Sequence, residues 1–272
     1  MMARLDKKRF GPWALVTGAS SGIGREFARQ IAASGINVVL VARRENLLEE
    51  AGAEISETYG VEHRVVVADL SDEGFMGRLT SATEGLDIGL VVSNAGTPNP
   101  GEFLRLDRDE LIRLLRLNTF THMVIAHHFG RRLLQRRRGG ILFSGAMGAT
   151  QGIPYVANEC GGKSYVQSFG ESLHAELAPQ GIVATVLVIG PTQTAIIEKF
   201  GFDPTDMPMK PMPVEQCVYE GLEALKRNRA THLSGRMNRI MNALIPASLS
   251  RSMMGKMMAR ALAARERNTA AP

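Results

Sequence analysis

Residues 14–24 read Ala14-Leu15-Val16-Thr17-Gly18-Ala19-Ser20-Ser21-Gly22-Ile23-Gly24. Apolar residues of strand type run into a glycine-rich turn, and Ile23, Phe27 and Ile31 then recur at helical spacing. Strand, glycine turn and helix together form a pyrophosphate cradle. Glycines let the backbone turn tightly and come close to the phosphates. The helix N-terminus adds unpaired N–H groups and the positive end of its dipole. A glycine cluster alone is often only a turn, but its position between strand and helix makes nucleotide binding the reading here.

Outward from this turn the chain alternates. Apolar runs at 37–41 (NVVLV), 64–68 (RVVVA), 89–92 (GLVV), 141–143 (ILF) and 182–189 (IVATVLVI) read as buried strands. Helical stretches are expected at 22–33, 45–59, 107–134, from the segment PYVANECGGKSYV (154–166) to about Pro179, and at 214–227, with a short last strand at 231–233. Continuous apolar strands separated by helices mean a parallel sheet covered on both faces, a doubly wound α/β fold. No internal repeat or low-complexity linker divides the chain. Residues 1–235 are expected to form one domain, and 236–272 a helical tail that is no independent domain.

The 272 residues are 44% hydrophobic and 22% charged, the balance of a water-soluble globular chain. Lys and Arg number 32 against 27 Asp and Glu, a net +5 that is too small to argue for nucleic acid. Two cysteines, Cys160 and Cys217, and the absence of an apolar leader after Met1 point to a reducing, cytoplasmic setting. The longest apolar runs are about half of what a membrane-spanning helix needs.

The spacing Thr17-Gly18-x3-Gly22-x-Gly24 resembles that of the short-chain dehydrogenase/reductase family. Ser93-Asn94-Ala95-Gly96 after the fourth strand is similar to that family's NAG motif. Asp69-Leu70 falls where the family contacts adenine, and Asn118 where it keeps a structural and proton-relay asparagine. The likeness runs from about residue 10 to 235 and implies a Rossmann fold, a nicotinamide cofactor, a small-molecule substrate, and a homodimer or homotetramer. It puts Gly18, Ser20, Ser21, Gly22, Ile23, Gly24, Asp69, Leu70, Asn94, Ala95, Gly96 and Lys163 against the cofactor. Gly190, Thr192 and Thr194 follow on the nicotinamide side, although Ile189 stands where proline is usual. At the end of the second strand the chain reads Val41-Ala42-Arg43-Arg44. An acid there would bind the ribose hydroxyl of NAD. The fork of Arg43 suits the 2′-phosphate of NADP instead.

The family's Ser, Tyr and Lys have fixed spacing, with Tyr four residues before Lys and Ser thirteen before Tyr. Lys163 matches, which places Glu159 at the tyrosine and Ala146 at the serine. A small shift would bring Ser144 near the serine position but supplies no tyrosine, and Tyr155 falls in the preceding loop. Glutamic acid starts near a pKa of about 4.3, and reaching neutrality would take about 2.7 units, roughly 3.7 kcal/mol of desolvation. With Lys163 one turn away, Glu159 is expected to be an anion paired with that lysine, poor at ketone reduction and better suited to a cationic, imine-like acceptor. The expected catalytic set is Glu159, Lys163 and Asn118. The alternative is a catalytically impaired member that binds NADP for structural or regulatory reasons, with Glu159 and Lys163 merely a helix pair.

Cys160 reads as a packing residue. His122, His127 and His128 lack the spacing and partners of a metal site, so no metal is expected. From Arg236 to Arg267 there are seven basic residues and one acid, and methionines recur at four-residue spacing. This is an expected basic amphipathic helix that could lie on a membrane surface, cap an apolar pocket, or pack on its own or a partner subunit.

Overall fold

The strand cores WALVT, IGLVVS and IVATVLVI carry hardly any group that needs water, and the fold buries them on both faces. The computed structural model describes residues 2–200 and 210–270, apart from the side chains of 198 and 265–270. Met1 and 201–209 of the expected domain lie outside the described residues. So do the last two residues of the tail and the side chains of Arg265 and Arg267. In chain order the elements begin α1 (Lys7–Phe10), β1 (Trp13–Thr17), α2 (Gly22–Ala32), β2 (Asn37–Ala42), α3 (Glu45–Tyr59), β3 (His63–Val67), α4 (Phe75–Ala82) and β4 (Ile88–Ser93). They continue with α5 (Arg108–Leu115), a π-helical turn (Arg116–Phe120), α6 (Thr121–Arg136), β5 (Gly139–Ala146), α7 (Ala157–Leu177) and β6 (Ile182–Ile189). The last are α8 (Ile196–Lys199), α9 (Val214–Lys226), β7 (Thr231–Leu233), α10 (Arg236–Leu244) and α11 (Ala247–Ala270).

The strands form one parallel sheet in the order β3-β2-β1-β4-β5-β6-β7. One apolar layer packs Phe27, Ile31 and Leu222 on one face, and a second packs Phe129, Leu133 and Val166 on the other. This is the doubly wound Rossmann architecture in a single domain. Strand order reverses between β1 and β4, so the loops leaving their carboxyl ends part and open a crevice there. Thr17 and Asn94, the two loop starts singled out by sequence, stand at that point.

Three local features differ from expectation. The expected continuous helix over 107–134 is two helices joined by a π turn that contains Asn118. Periodicity cannot show one extra residue in a turn. Helix α4 was not expected, being short and lacking a side-chain cap. The tail is two helices, not one: Ile245 is extended (φ −92°, ψ 120°), as the residue before Pro246 prefers. Among the described residues no helix is long and apolar enough to cross a membrane.

Candidate active site

The turn after β1 is fixed from both neighbouring strands. The N–H groups of Gly18 and Ala19 donate to the Val41 carbonyl at 2.8 and 3.2 Å, tying the turn to β2. Thr17 Oγ1 accepts from the N–H of Asn94 (2.8 Å) and Ala95 (3.0 Å), and Asn94 Nδ2 donates to the Thr17 carbonyl (3.1 Å). Gly18 is left-handed at φ 69°, and a Cβ on Gly24 would lie 2.2 Å from the Gly18 carbonyl oxygen. Only glycine lets α2 start this close to the turn. Ser21 caps α2 without a side-chain hydrogen bond, so the first N–H groups stay available to an anion.

Two guanidinium groups stand at the outer end of this cradle. Arg44 Nη2 donates to Ser20 Oγ (2.9 Å) and Ser21 Oγ (2.7 Å), while Arg43 Nη1 lies 3.4 Å from Asp69 Oδ2. Burial works to raise the Asp69 pKa, but the hydroxyl and N–H of Ser71, helped by Arg43, hold it below the ordinary value. Asp69 is therefore an engaged anion on the loop after β3, and β2 ends at Ala42 with no acid before Glu45. Sequence reasoning assigned the phosphate to Arg43 and passed over Arg44, whose contacts with both turn serines only the fold reveals. A nicotinamide dinucleotide fits this set: a glycine-lined helix start for the pyrophosphate and two arginines beyond it.

At the inner end, Lys163 is buried and its Nζ donates to the Ser144 carbonyl at 2.7 Å. Ser144 Oγ donates to Asn94 Oδ1 (2.9 Å), which links the lysine to the loop that holds the glycine turn. Asn118 spends both ends of its amide on Thr97, accepting its N–H and donating to its carbonyl, each at 3.0 Å. A Cβ on Gly96 would lie 2.8 Å from Asn118 Oδ1 and 3.5 Å from Lys163 Nζ, so the two groups meet across this glycine. The π turn places Asn118 where a regular helix would turn it elsewhere.

Glu159 sits in the first turn of α7. Its Oε2 is buried and has no hydrogen-bond partner. The expected ion pair with Lys163 does not form. Lys163 directs a hydrogen at the Ser144 carbonyl instead, and no salt bridge joins the two among the described residues. The lowering of the Glu159 pKa expected from Lys163 does not prevail either. Burial raises the Glu159 pKa above the usual carboxylate value and outweighs the opposing pull of Lys163. Burial also lowers Lys163, to about 8, against the pull of Glu159. The two groups thus approach each other in proton affinity. Ala146, at the end of β5, offers no hydroxyl, and Tyr155, in the loop before α7 with a left-handed backbone (φ 69°), packs on Val156, Cys160 and Met258 without lining the cavity.

A cavity of about 580 Å³ runs from the arginines, over the glycine turn, to Glu159 and Lys163. Every residue expected to hold the cofactor lines it, together with Glu159, while Asn118 lies behind Thr97. Ile153, Val156, Cys160, Met254 and Met258 make the far wall apolar. Lys199 reaches the rim and donates to Thr97 Oγ1 at 3.1 Å. Sequence reasoning missed Lys199, which carries no motif. His122, weighed from sequence only as a metal ligand, is buried under the site with Nδ1 2.7 Å from Ser93 Oγ and Nε2 unpartnered. Burial, reinforced by Lys163, holds His122 far below its ordinary pKa, so it is neutral.

Residues 12–203 match the family model described as short chain dehydrogenase. The chain belongs to the short chain dehydrogenase family. It is 30% identical over 236 residues to a 7beta-hydroxysteroid dehydrogenase of Collinsella aerofaciens, a match that covers 86% of this chain and 89% of that one. It is 31% identical over 188 residues to an inactive hydroxysteroid dehydrogenase-like protein 1 of Pongo abelii, which spans 66% of this chain and little more than half, 56%, of that relative. Among solved structures, a short-chain dehydrogenase from Sphingobium yanoikuyae in complex with NADPH superposes with a TM-score of 0.77 at 28% identity, covering 82% of this chain and 87% of that one. The family consists of oxidoreductases using NAD or NADP on small molecules.

Proposed function

We propose that this protein is an NADP-dependent oxidoreductase that reduces a bulky apolar carbonyl or imine compound, with Glu159 as its proton donor. The unpartnered carboxyl of Glu159 carries this reading. It faces the cavity that holds the cofactor cradle, in the tyrosine's place and one turn from Lys163. Bound NADPH would supply the hydride. A neutral Glu159 gives its proton to the substrate oxygen or nitrogen as carbon accepts that hydride, and it ends as a carboxylate beside Lys163. With a pKa of about 8, Lys163 is largely an ammonium near neutrality and stabilises that charge.

A neutral acid removes the reason for excluding ketones, namely that an anion has no proton to give. A preference for C=N survives on different grounds. An imine nitrogen is basic enough to take the proton before hydride arrives, whereas a ketone oxygen needs donors in the transition state, and Ala146 supplies none. Arg43 and Arg44, with no acid at the end of β2, support NADP over NAD. The apolar wall, and a relative named for hydroxysteroids, support a large apolar substrate. The same reading carries a homodimer or homotetramer in the cytoplasm. Ala146 also favours a second reading, an NADP-binding protein without turnover, in keeping with the relative named as inactive.

The two readings separate in a panel of bulky ketones, alcohols and cyclic imines followed by NADPH absorbance. We expect turnover of at least one apolar imine or ketone, lost on Glu159→Gln with NADPH affinity retained. Tight NADPH binding without turnover of any compound would favour the second reading.

A further inference from the structure

We infer that α10 and the start of α11 form a docking surface for an anionic lipid bilayer, set beside the mouth of the cavity. Between residues 237 and 253 the fold leaves Met237 (57% exposed), Ile240, Leu244 (74%), Leu249 (53%) and Met253 (49%) in contact with water. In α10 the spacing i, i+3, i+7 puts Met237, Ile240 and Leu244 on one stripe, while Asn238 turns inward and donates to the Ser234 carbonyl. In α11 Leu249 and Met253 continue outward. Gly255 meets Pro154, and Met258, 1% exposed, packs on Val156 and Cys160. The tail is thus anchored by one side and bare on the other.

The charge around the stripe selects the occupant. Residues 236–264 contain Arg236, Arg239, Arg251, Lys256 and Arg260 and no Asp or Glu. Arg239 is neutralised by Glu220, at 2.8 Å. Arg251 donates to the Gly152 carbonyl at 3.1 Å, and among the described residues Arg236, Lys256 and Arg260 make no ion pair. A second copy docking through this face would set these cations against their equals. An anionic headgroup layer accepts them and takes up the apolar stripe beneath. Met254 and Met258 line the cavity from the inner side of the same helix, so an apolar compound dissolved in the bilayer would reach the site with little exposure to water. The surface does not depend on whether the site turns substrate over.

The test is sedimentation of the full chain with vesicles of phosphatidylcholine, with and without phosphatidylserine, at rising salt. We expect binding to the phosphatidylserine vesicles at least about tenfold stronger than to phosphatidylcholine alone, weakening as salt screens it. Met237→Ser with Leu244→Ser, and separately Lys256→Glu with Arg260→Glu, should each reduce it about tenfold or more, with NADPH affinity unchanged as the sign of an intact fold. The inference is overturned if native protein sediments equally with and without vesicles, or equally with both compositions. It is also overturned if the stripe variant shifts the oligomeric state while native protein ignores vesicles, since the face would then join two copies of this chain.

Discussion

Glu159 places a carboxyl group where burial and a neighbouring lysine pull its proton affinity in opposite directions, and burial prevails. The consequence for stability has a definite sign. A carboxyl whose folded pKa exceeds its unfolded one removes stability as pH rises through the unfolded value, and the loss is complete above the folded value. Glu159→Gln cannot ionise, so it should be the more stable protein near neutrality, with the gain vanishing in acid. Denaturant titrations across pH measure this. In the proposed reading, reduction should also slow as pH rises, as Glu159 loses its proton and, near about 8, as Lys163 loses its own. Glu159→Tyr with Ala146→Ser should raise ketone reduction relative to imine reduction, since Asn118 and Lys163 are already in position. A fall in both would place those two groups outside the chemistry.

At the scale of elements, the glycine turn and the end of β2 work as one device. Gly24→Ala would push a methyl group to within 2.2 Å of the Gly18 carbonyl, so the turn must open. NADPH affinity should drop by more than about tenfold in a fluorescence titration. Arg44→Ser releases both turn serines and, in the proposed reading, the 2′-phosphate, so the NADPH to NADH preference should collapse by about tenfold or more. An unchanged preference would leave Arg43 as the sole determinant. The glycine turn, β1, β2, β4, β5 and β6 were legible because continuous apolar runs and fixed glycine spacing are local properties. Arg44 was not, because its role depends on where Ser20 and Ser21 fold back. The π turn at Asn118 and the raised proton affinity of Glu159 were also hidden: one is a single-residue change of winding, the other a property of burial. The tail's division at Pro246 was visible in principle, yet the regular methionine spacing on either side masked it.

At the scale of the whole molecule, the parallel order of strands opens one crevice between β1 and β4. The glycine turn, Glu159 with Lys163, and the apolar wall all open onto it. The wall comes from the far end of the chain, so the site is complete only when α11 lies against Pro154, Val156 and Cys160. In the proposed reading, what distinguishes this site is a carboxylic acid that keeps its proton where a phenol is expected. Infrared difference spectroscopy of native protein against Glu159→Gln near neutral pH tests this directly. The native protein should show the carbonyl stretch of an un-ionised, weakly hydrogen-bonded carboxylic acid, and the variant should lack it. A carboxylate band alone would show Glu159 ionised and contradict its role as proton donor.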